Sequence, residues 1–356
     1  MSPVFPPDDP SGGSAQKPAG SSVRVVRVEE SLLLAAAERL VSQSLRDRKS
    51  AARKLIASAP QHGIDLSLIW ATLADDGSAG HAPGTVRQAC LVIPGSGRTA
   101  MIFLSEPFPG GEPGGPDQAR AERARLLREI EAVMLSRPVP DVRILQALPD
   151  PSDRWAIGAM LDAGFVHVGE LEYRRRLIAP SERRQPPAQI VFPRGVRVVT
   201  LASIPESLRE SLLIDVLDQT YANTLDCPEL CGLRETRDIL ASHRGTGLFD
   251  PQLWFLVLDE ANGDRPEAAA RGCMLLSRVP EQRSLELVYI GLAPELRGRG
   301  LGTPLMRLLL NCAKEPQIDT VTCAVDRRNV PALRLYDRFG FASAGRRVAL
   351  VRAVGR

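Results

Sequence analysis

Arg297-Gly298-Arg299-Gly300-Leu301-Gly302 is the densest stretch of chemistry in this chain. Glycine reaches positive φ and lets a backbone approach a ligand closely. The stretch follows an apolar run, residues 285–292, that reads as a strand, and it precedes Thr303-Pro304, which reads as a helix start. Thr303 suits the N-cap, and Pro304 suits the first helical position, where no N–H is needed. Free amides of residues 299–303, at the positive end of a helix dipole, make a site for a pyrophosphate, and Arg297 and Arg299 add charge. Leu305, Leu308, Leu309 and Cys312 fall at i, i+3, i+4 and i+7, the spacing of one buried face that fixes this helix on a sheet. Glycine loops also serve dinucleotide and P-loop sites. Here no acidic ribose ligand follows ~20 residues on at a strand end, and no Lys-Ser/Thr follows the last glycine.

Two further groups could move protons. Asn329-x-x-Ala332-x-x-x-Tyr336 is followed by Phe339-Gly340-Phe341. Asn329 stands where a helix N-cap is expected, and seven residues is almost two turns, so Asn329 and Tyr336 share a stripe. By itself Tyr336 also reads as a packing tyrosine on an amphipathic helix. In the strand Ser284-Leu285-Glu286-Leu287-Val288-Tyr289-Ile290, Glu286 alternates to the face carrying Val288 and Ile290. It is either a solvent-facing glutamate or a base that takes a proton, directly or through water, from an incoming ammonium. Cys312 and Cys323 could be nucleophiles, but the second half has no histidine beyond His243. Both read as packing thiols.

Arg-x-x-Gly-x-Gly with Leu292-Ala293-Pro294 upstream resembles the acyl-CoA pyrophosphate loop of the GNAT acetyltransferase superfamily. The Asn329–Tyr336 helix is similar to the one whose tyrosine protonates the departing CoA thiolate and whose asparagine touches the cofactor. The resemblance implies that the strand before the loop bulges near its end, where Gly291 suits a bulge. Ile290, Gly291 and Leu292 are then the pantetheine contacts, with the Leu292 amide or its neighbour at the acetyl oxygen. It also implies that residues 297–303 and Asn329 bind acetyl-CoA and that an amine attacks the thioester directly, with Glu286 or water as base and Tyr336 as acid. No metal is implied. The alternative is an acyl-CoA sensor or scaffold of the same fold that no longer turns over.

The elements that must position these groups occur twice. From Val23 the order is a strand, helices within residues 31–58, a strand at 66–73, a hairpin at 89–93 and 99–105, a helix at 117–136, a strand at 142–148, a helix at 154–163 and a strand at 165–174. After the Pro-rich residues 179–193 the order repeats. A strand at 196–201 precedes helices through Ser242, a strand at 254–259, a hairpin at 269–278 and 285–292, the glycine loop and its helix to Lys314. A strand at 320–325, a helix at 330–339 and a last strand pair complete it. WAIGAMLDAGF (155–165) matches PALRLYDRFGF (331–341), 176 residues later. The reading is a tandem duplication; two unrelated α/β domains with a chance match is the other.

The expected fold is α/β of the α+β type, with two tandem GNAT-like domains, each a mostly antiparallel mixed sheet flanked by helices. The divisions are a disordered tail (1–22), a degenerate first copy (23–178), a linker (179–194) and a catalytic copy (195–356). At the offset of 176, Tyr336 maps to Met160 and Asn329 to Asp153. The glycine loop survives only as the remnant 110–116, before a helix whose Asp117 would repel phosphate. A silent first copy with an active second is similar to the mycothiol synthases, which implies a small-molecule or peptide amine as acceptor. That likeness does not extend to residues 203–242, which would face the acceptor.

The 356 residues, 44% hydrophobic and 24% charged, suit a two-domain globular protein. No run reaches the ~18 apolar residues of a membrane span, and the N-terminus lacks a signal peptide's apolar core, so the expected location is cytoplasmic. Net charge is +3 and aromatics are 4%. Without interleaved aromatics the arginines do not read as nucleic-acid binding. Arg174-Arg175-Arg176 with Arg183-Arg184 is either an anion-facing patch or a solvated strand end and linker. Six scattered cysteines form no zinc set and read as free thiols.

Overall fold

The computed structural model describes residues 23–74, 84–112, 114–136, 141–263 and 265–355. The tail expected to be disordered, residues 1–22, lies outside them. The first half runs β1 (Val23–Arg27), α1 (Glu30–Leu40), α2 (Arg48–Ser58), β2 (Ile69–Ala74), β3 (Val86–Gly95), β4 (Thr99–Leu104), α3 (Gly115–Ser136), β5 (Ile144–Ala147), α4 (Arg154–Asp162) and β6 (Val166–Leu177). After a short α5 (Pro180–Arg184) the order returns as β7 (Val196–Thr200), α6 (Glu206–Tyr221), α7 (Thr236–Arg244), β8 (Trp254–Asp259) and a single turn α8 (Pro266–Ala269). Then come β9 (Ala270–Val279), β10 (Ser284–Leu292), α9 (Gly302–Cys312), β11 (Thr320–Asp326), α10 (Val330–Arg338) and β12 (Ala342–Ala353).

Twelve strands form one continuous sheet in the order β1-β2-β3-β4-β5-β12-β6-β11-β10-β9-β8-β7. Only β4–β5 and β10–β11 are parallel; the other neighbours are antiparallel. The expected mixed, mostly antiparallel sheet with flanking helices is present. The last strands have changed places: β6 pairs with β11 of the second half, and β12 pairs with β5 of the first.

Helices cover both faces. One face packs on α9 and α10 through Leu285, Leu287, Leu305, Leu309, Val321 and Tyr336, and on α3 through Leu126, Leu127 and Ile130. The other packs on α6 and α7 through Leu213, Leu217, Leu240, Trp254 and Leu275, and on α1 through Ala36. Fully burying one such leucine contributes roughly 1.5–3 kcal/mol. The α9 stripe is as the spacing predicts: Leu305 and Leu309 are buried, and Leu308 and Cys312 pack at its edge.

Three expectations about elements change. Residues 66–68 form a 3₁₀ turn whose N-terminus is capped by Asp65, and the strand begins at Ile69. The last strand pair is a single twelve-residue strand, β12, which stays continuous through two register shifts against β6. Leu301, not Thr303, holds the N-cap of α9, and no side chain caps it. Gly298 and Gly300, at φ 74° and 77°, complete the turn early, so the helix already begins at Gly302.

Candidate active site

The β10–β11 pair stays in register only from Ser284↔Thr320 to Glu286↔Thr322. Beyond it the two strands part, and a cleft of about 760 Å³ opens between them. Its walls are the far end of β10, the glycine loop, the start of α9, one side of α10 and the loop after α6. Ile290, Gly291, Leu292, Arg297, Gly298, Gly300, Leu301, Gly302, Thr303, Asn329 and Tyr336 all line it. Arg299 and Glu286 stand outside this lining.

The loop leaves its amides free. Among the described residues the backbone N–H groups of residues 298–303 have no acceptor, and the first loop-to-helix bond is Leu305 N–H to Leu301 O at 3.2 Å. A row of unpaired donors at the N-terminus of an eleven-residue helix is an anion cradle. At Gly302 the start of α9 lies close to α10: a Cβ there would stand 2.9 Å from Leu335 Cδ2 and displace that side chain.

The two arginines are engaged elsewhere. Arg297 donates to the carbonyls of Leu292, Asn223, Thr220 and Ala222 at 2.8–2.9 Å. It thereby closes the C-terminal end of α6, where carbonyls lack helical partners. Arg299 pairs with Asp259 at 2.7 Å. The cradle's pull on an anion therefore comes mainly from amides and the helix dipole.

Asn329 is the N-cap of α10, accepting from the Ala332 amide at 3.3 Å, as its position predicts. Tyr336 is buried, tilted against Phe341, and its hydroxyl has no hydrogen-bond partner among the described residues. Burial pushes its phenol pKa well above the usual value, so it stays protonated at neutral pH.

The bulge in β10 falls at Val288, not at Gly291. Leu287 faces Leu276 and Tyr289 faces the next residue back, Leu275, whereas Gly291 pairs regularly with Cys273. An inserted residue flips every later side chain to the other face. Glu286 accordingly shares its face with Val288 and Tyr289, while Ile290 joins Leu285 and Leu287 on the α9 side. Gly291 makes room for the Tyr289 ring, since a Cβ there would lie 2.5 Å from the tyrosine oxygen. Glu286 is half-buried, and burial raises its carboxyl pKa.

Sequence reasoning missed the loop after α6, where Asn223, Thr224, Leu225 and Asp226 line the cleft. Asp226 accepts from the Asp326 amide at 2.7 Å, and Asp326 accepts from the Cys227 amide at 3.1 Å, which ties this loop to the end of β11. The pairing spans a hundred residues and leaves no local signal. Also unforeseen is the stack of Tyr289 on His243, centroids 5.4 Å apart, with the Tyr289 hydroxyl 2.9 Å from Thr220 Oγ1. Burial lowers His243 to about 4, so it is neutral. Burial also lifts the Cys312 thiol to about 11 and Cys323 to about 12, which suits packing rather than attack.

In the first half the strands part in the same way, β4 and β5 pairing only from Thr99↔Ile144 to Met101↔Gln146. There Glu112 forms a buried ion pair with Arg123 on α3, and Asp117 stands in the first turn of that helix. Met160 and Asp153 occupy α4 and its N-cap, and Asp153 makes no side-chain cap.

The acetyltransferase (GNAT) family matches residues 221–341, the span from the end of α6 to the start of β12. A mycothiol acetyltransferase of Corynebacterium aurimucosum is 33% identical over 211 residues, covering 56% of this chain and 68% of the relative. One from Tsukamurella paurometabola is 32% identical over 112 residues, covering 31% of this chain and only 38% of that relative. A GCN5-related N-acetyltransferase from Sphaerobacter thermophilus shares the fold at a TM-score of 0.54 and 16% identity, over 93% of this chain and 96% of that one. With the glycine loop, the parted strands and the capped α10 in one cleft, the chain belongs to the GNAT family of acetyltransferases, two such units in tandem.

Proposed function

We propose that the second half transfers an acetyl group from acetyl-CoA to a primary amine by direct attack. The observation that carries this is the run of six amides, residues 298–303, with no acceptor among the described residues, five of them on residues that line the cleft. The residues present fit the coenzyme: the amides of residues 298–303 would hold its diphosphate, and β10, unpaired on its β11 side beyond Glu286, would hold its pantetheine arm. When bound, acetyl-CoA supplies an activated thioester. Backbone N–H of Leu292 is the oxyanion donor, since that of Ala293 already donates to the Arg271 carbonyl at 2.7 Å. Glu286 takes the proton of the incoming ammonium, and Tyr336 Oη gives a proton to the departing sulfur. Asn329 holds the start of α10 and thereby the stripe on which Tyr336 lies. Arg297 and Arg299 keep the loop in place.

The free thiols fit a reducing cytoplasm. Among the described residues no helix is long and apolar enough to cross a membrane. The names of the relatives add a mycothiol-type amine to the candidate acceptors.

The test is a thiol-release screen with acetyl-CoA against amino acids, peptide N-termini, polyamines, aminoglycosides and amino sugars. Wild type and Tyr336→Phe are compared side by side. The variant should lose ~100-fold or more in kcat with its dissociation constant for CoA unchanged. Equal rates in both proteins would remove Tyr336 from the chemistry. A protein that binds acetyl-CoA yet acetylates nothing would be the sensor of this fold instead.

A further inference from the structure

We propose that the exchanged strand β6 brings the acceptor-reading residues from the first half: Arg175 binds an acid group on the amine substrate, with Tyr173 as the neighbouring wall. The inference rests on the reading of Glu286 as the group that receives the amine's proton.

Register places the residues. Glu286 on β10 pairs with Thr322 on β11, and Thr322 pairs with Arg175 on β6. Directly paired residues share a face, so these three form one row across three strands. In the next row Ala324 pairs with Tyr173. The row ends therefore stand two strand spacings apart, about 9.5 Å. On the sheet, the short side chains of Thr322 and Ala324 lie between them. Ala324 is exposed and forms part of the cleft lining, so this trough is continuous with the donor site. Tyr173 is half-buried, and Glu286 is among the charges that act on its phenol.

Charge then selects the substrate. Arg174 binds Asp337 and Glu172, Arg176 binds Glu182, and Arg183 binds Asp319. Arg347, beyond Tyr173 on β12, binds Asp150. Arg175 has no ion pair and no side-chain hydrogen bond among the described residues, and its lateral neighbours on this face are Thr322 and Ala342. An ammonium delivered to Glu286 meets that uncompensated guanidinium across the trough and is repelled. A carboxylate on the same molecule turns the repulsion into a charge-assisted bond to the planar guanidinium. The substrate class is thus a small amine bearing a carboxylate a few bonds away. The strand comes from the other half of the chain, so the duplication would have a direct use: the first half carries no acid of its own but reads the acceptor for the second.

The experiment compares amino acids with their carboxamides at saturating acetyl-CoA, in full-length wild type, Arg175→Ala, Arg175→Lys and Tyr173→Phe. Arg184→Ala, an exposed arginine on α5, is the control. Wild type should favour the acid over its amide by at least ~10-fold in kcat/KM, the size expected of a charge-assisted bond. In Arg175→Ala the ratio should fall to about one through KM for the acid, with kcat and CoA affinity kept. Arg175→Lys should restore part of it, and Tyr173→Phe should raise KM without changing the ratio. An active wild type that treats acid and amide alike, or a ratio unchanged in Arg175→Ala, overturns this inference and leaves the acetyltransferase reading standing. Loss of acetyl-CoA binding, or failure to acetylate any amine, overturns both.

Discussion

Nη2 of Arg297 donates to the carbonyl oxygen of Ala222 at 2.8 Å, tying the glycine loop to the residue that ends α6. Three more carbonyls, of Leu292, Asn223 and Thr220, take the remaining bonds of the same guanidinium. A charged donor contributes about 1.5–3 kcal/mol per bond, with strong overlap between bonds on one group. Arg297→Ala should therefore lower unfolding free energy by about 3 kcal/mol in urea titrations. Arg297→Lys should recover little, since one ammonium cannot span four carbonyls. Arg299→Ala, whose side chain is 35% exposed, should stay within about 1 kcal/mol of wild type. Equal stability of wild type and Arg297→Ala would show that these bonds do not hold the loop.

Glu286 gives the pH dependence its sign. Burial raises its carboxyl pKa, so the folded protein binds this proton more tightly than the unfolded chain does. A base must be ionised to act. The rate should fall as pH drops through the raised pKa, and Glu286→Gln should abolish that limb at a cost of ~10²-fold in rate. The stability effect runs the other way. Above its folded pKa the ionised, half-buried carboxylate is destabilising, so Glu286→Gln should melt higher than wild type at pH 8. That gain should shrink on acidification. Melting curves at pH 5 and 8 that show the same difference would contradict the assignment.

The same residue shows where sequence reading stops. Its identity as the one carboxylate on the strand was legible, as were the Asn329 cap, the buried face of α9 and the glycine loop, because each is set by residues within a turn or two. Its face relative to Ile290 was not, because a single inserted residue at Val288 reverses the alternation and no residue type marks the insertion. Arg297 reads as a phosphate ligand from its place in the motif, yet its partners lie some 75 residues upstream on α6. The exchange of β6 and β12 is invisible for a related reason. Two copies of one pattern offer each strand two equivalent places, and only tertiary packing chooses between them.

His243 carries a second pH effect, on stability. Its folded pKa, lowered by burial to about 4, lies below the 6.5 of a free imidazole. Between these values the unfolded chain binds a proton that the folded chain refuses. Stability is complete above pH 6.5 and is lost as pH falls toward 4, by about 3 kcal/mol across the window. A variant such as His243→Phe, which keeps the stack on Tyr289, should flatten that slope in denaturant titrations at pH 7, 6, 5 and 4. An unchanged slope would place the acid sensitivity elsewhere.

The strand exchange makes the two halves depend on one another. β6 forms seven register pairs with β11 and nine with β12, and β12 adds four with β5. From β6, Arg174 reaches Asp337 at 2.5 Å, just past Tyr336 on α10. A fragment of residues 179–356 keeps the glycine loop and α10 but leaves β11 with an open edge and β12 without either neighbour. Long unpaired edges recruit other chains. The fragment should aggregate or melt without a cooperative transition, and it should bind acetyl-CoA far more weakly than the full chain. Co-expression with residues 1–178 as a separate polypeptide should restore soluble protein, because the missing strands then return. If the fragment alone melted cooperatively at the full chain's temperature with equal affinity for acetyl-CoA, β6 would be dispensable, and the catalytic half would be a complete domain by itself.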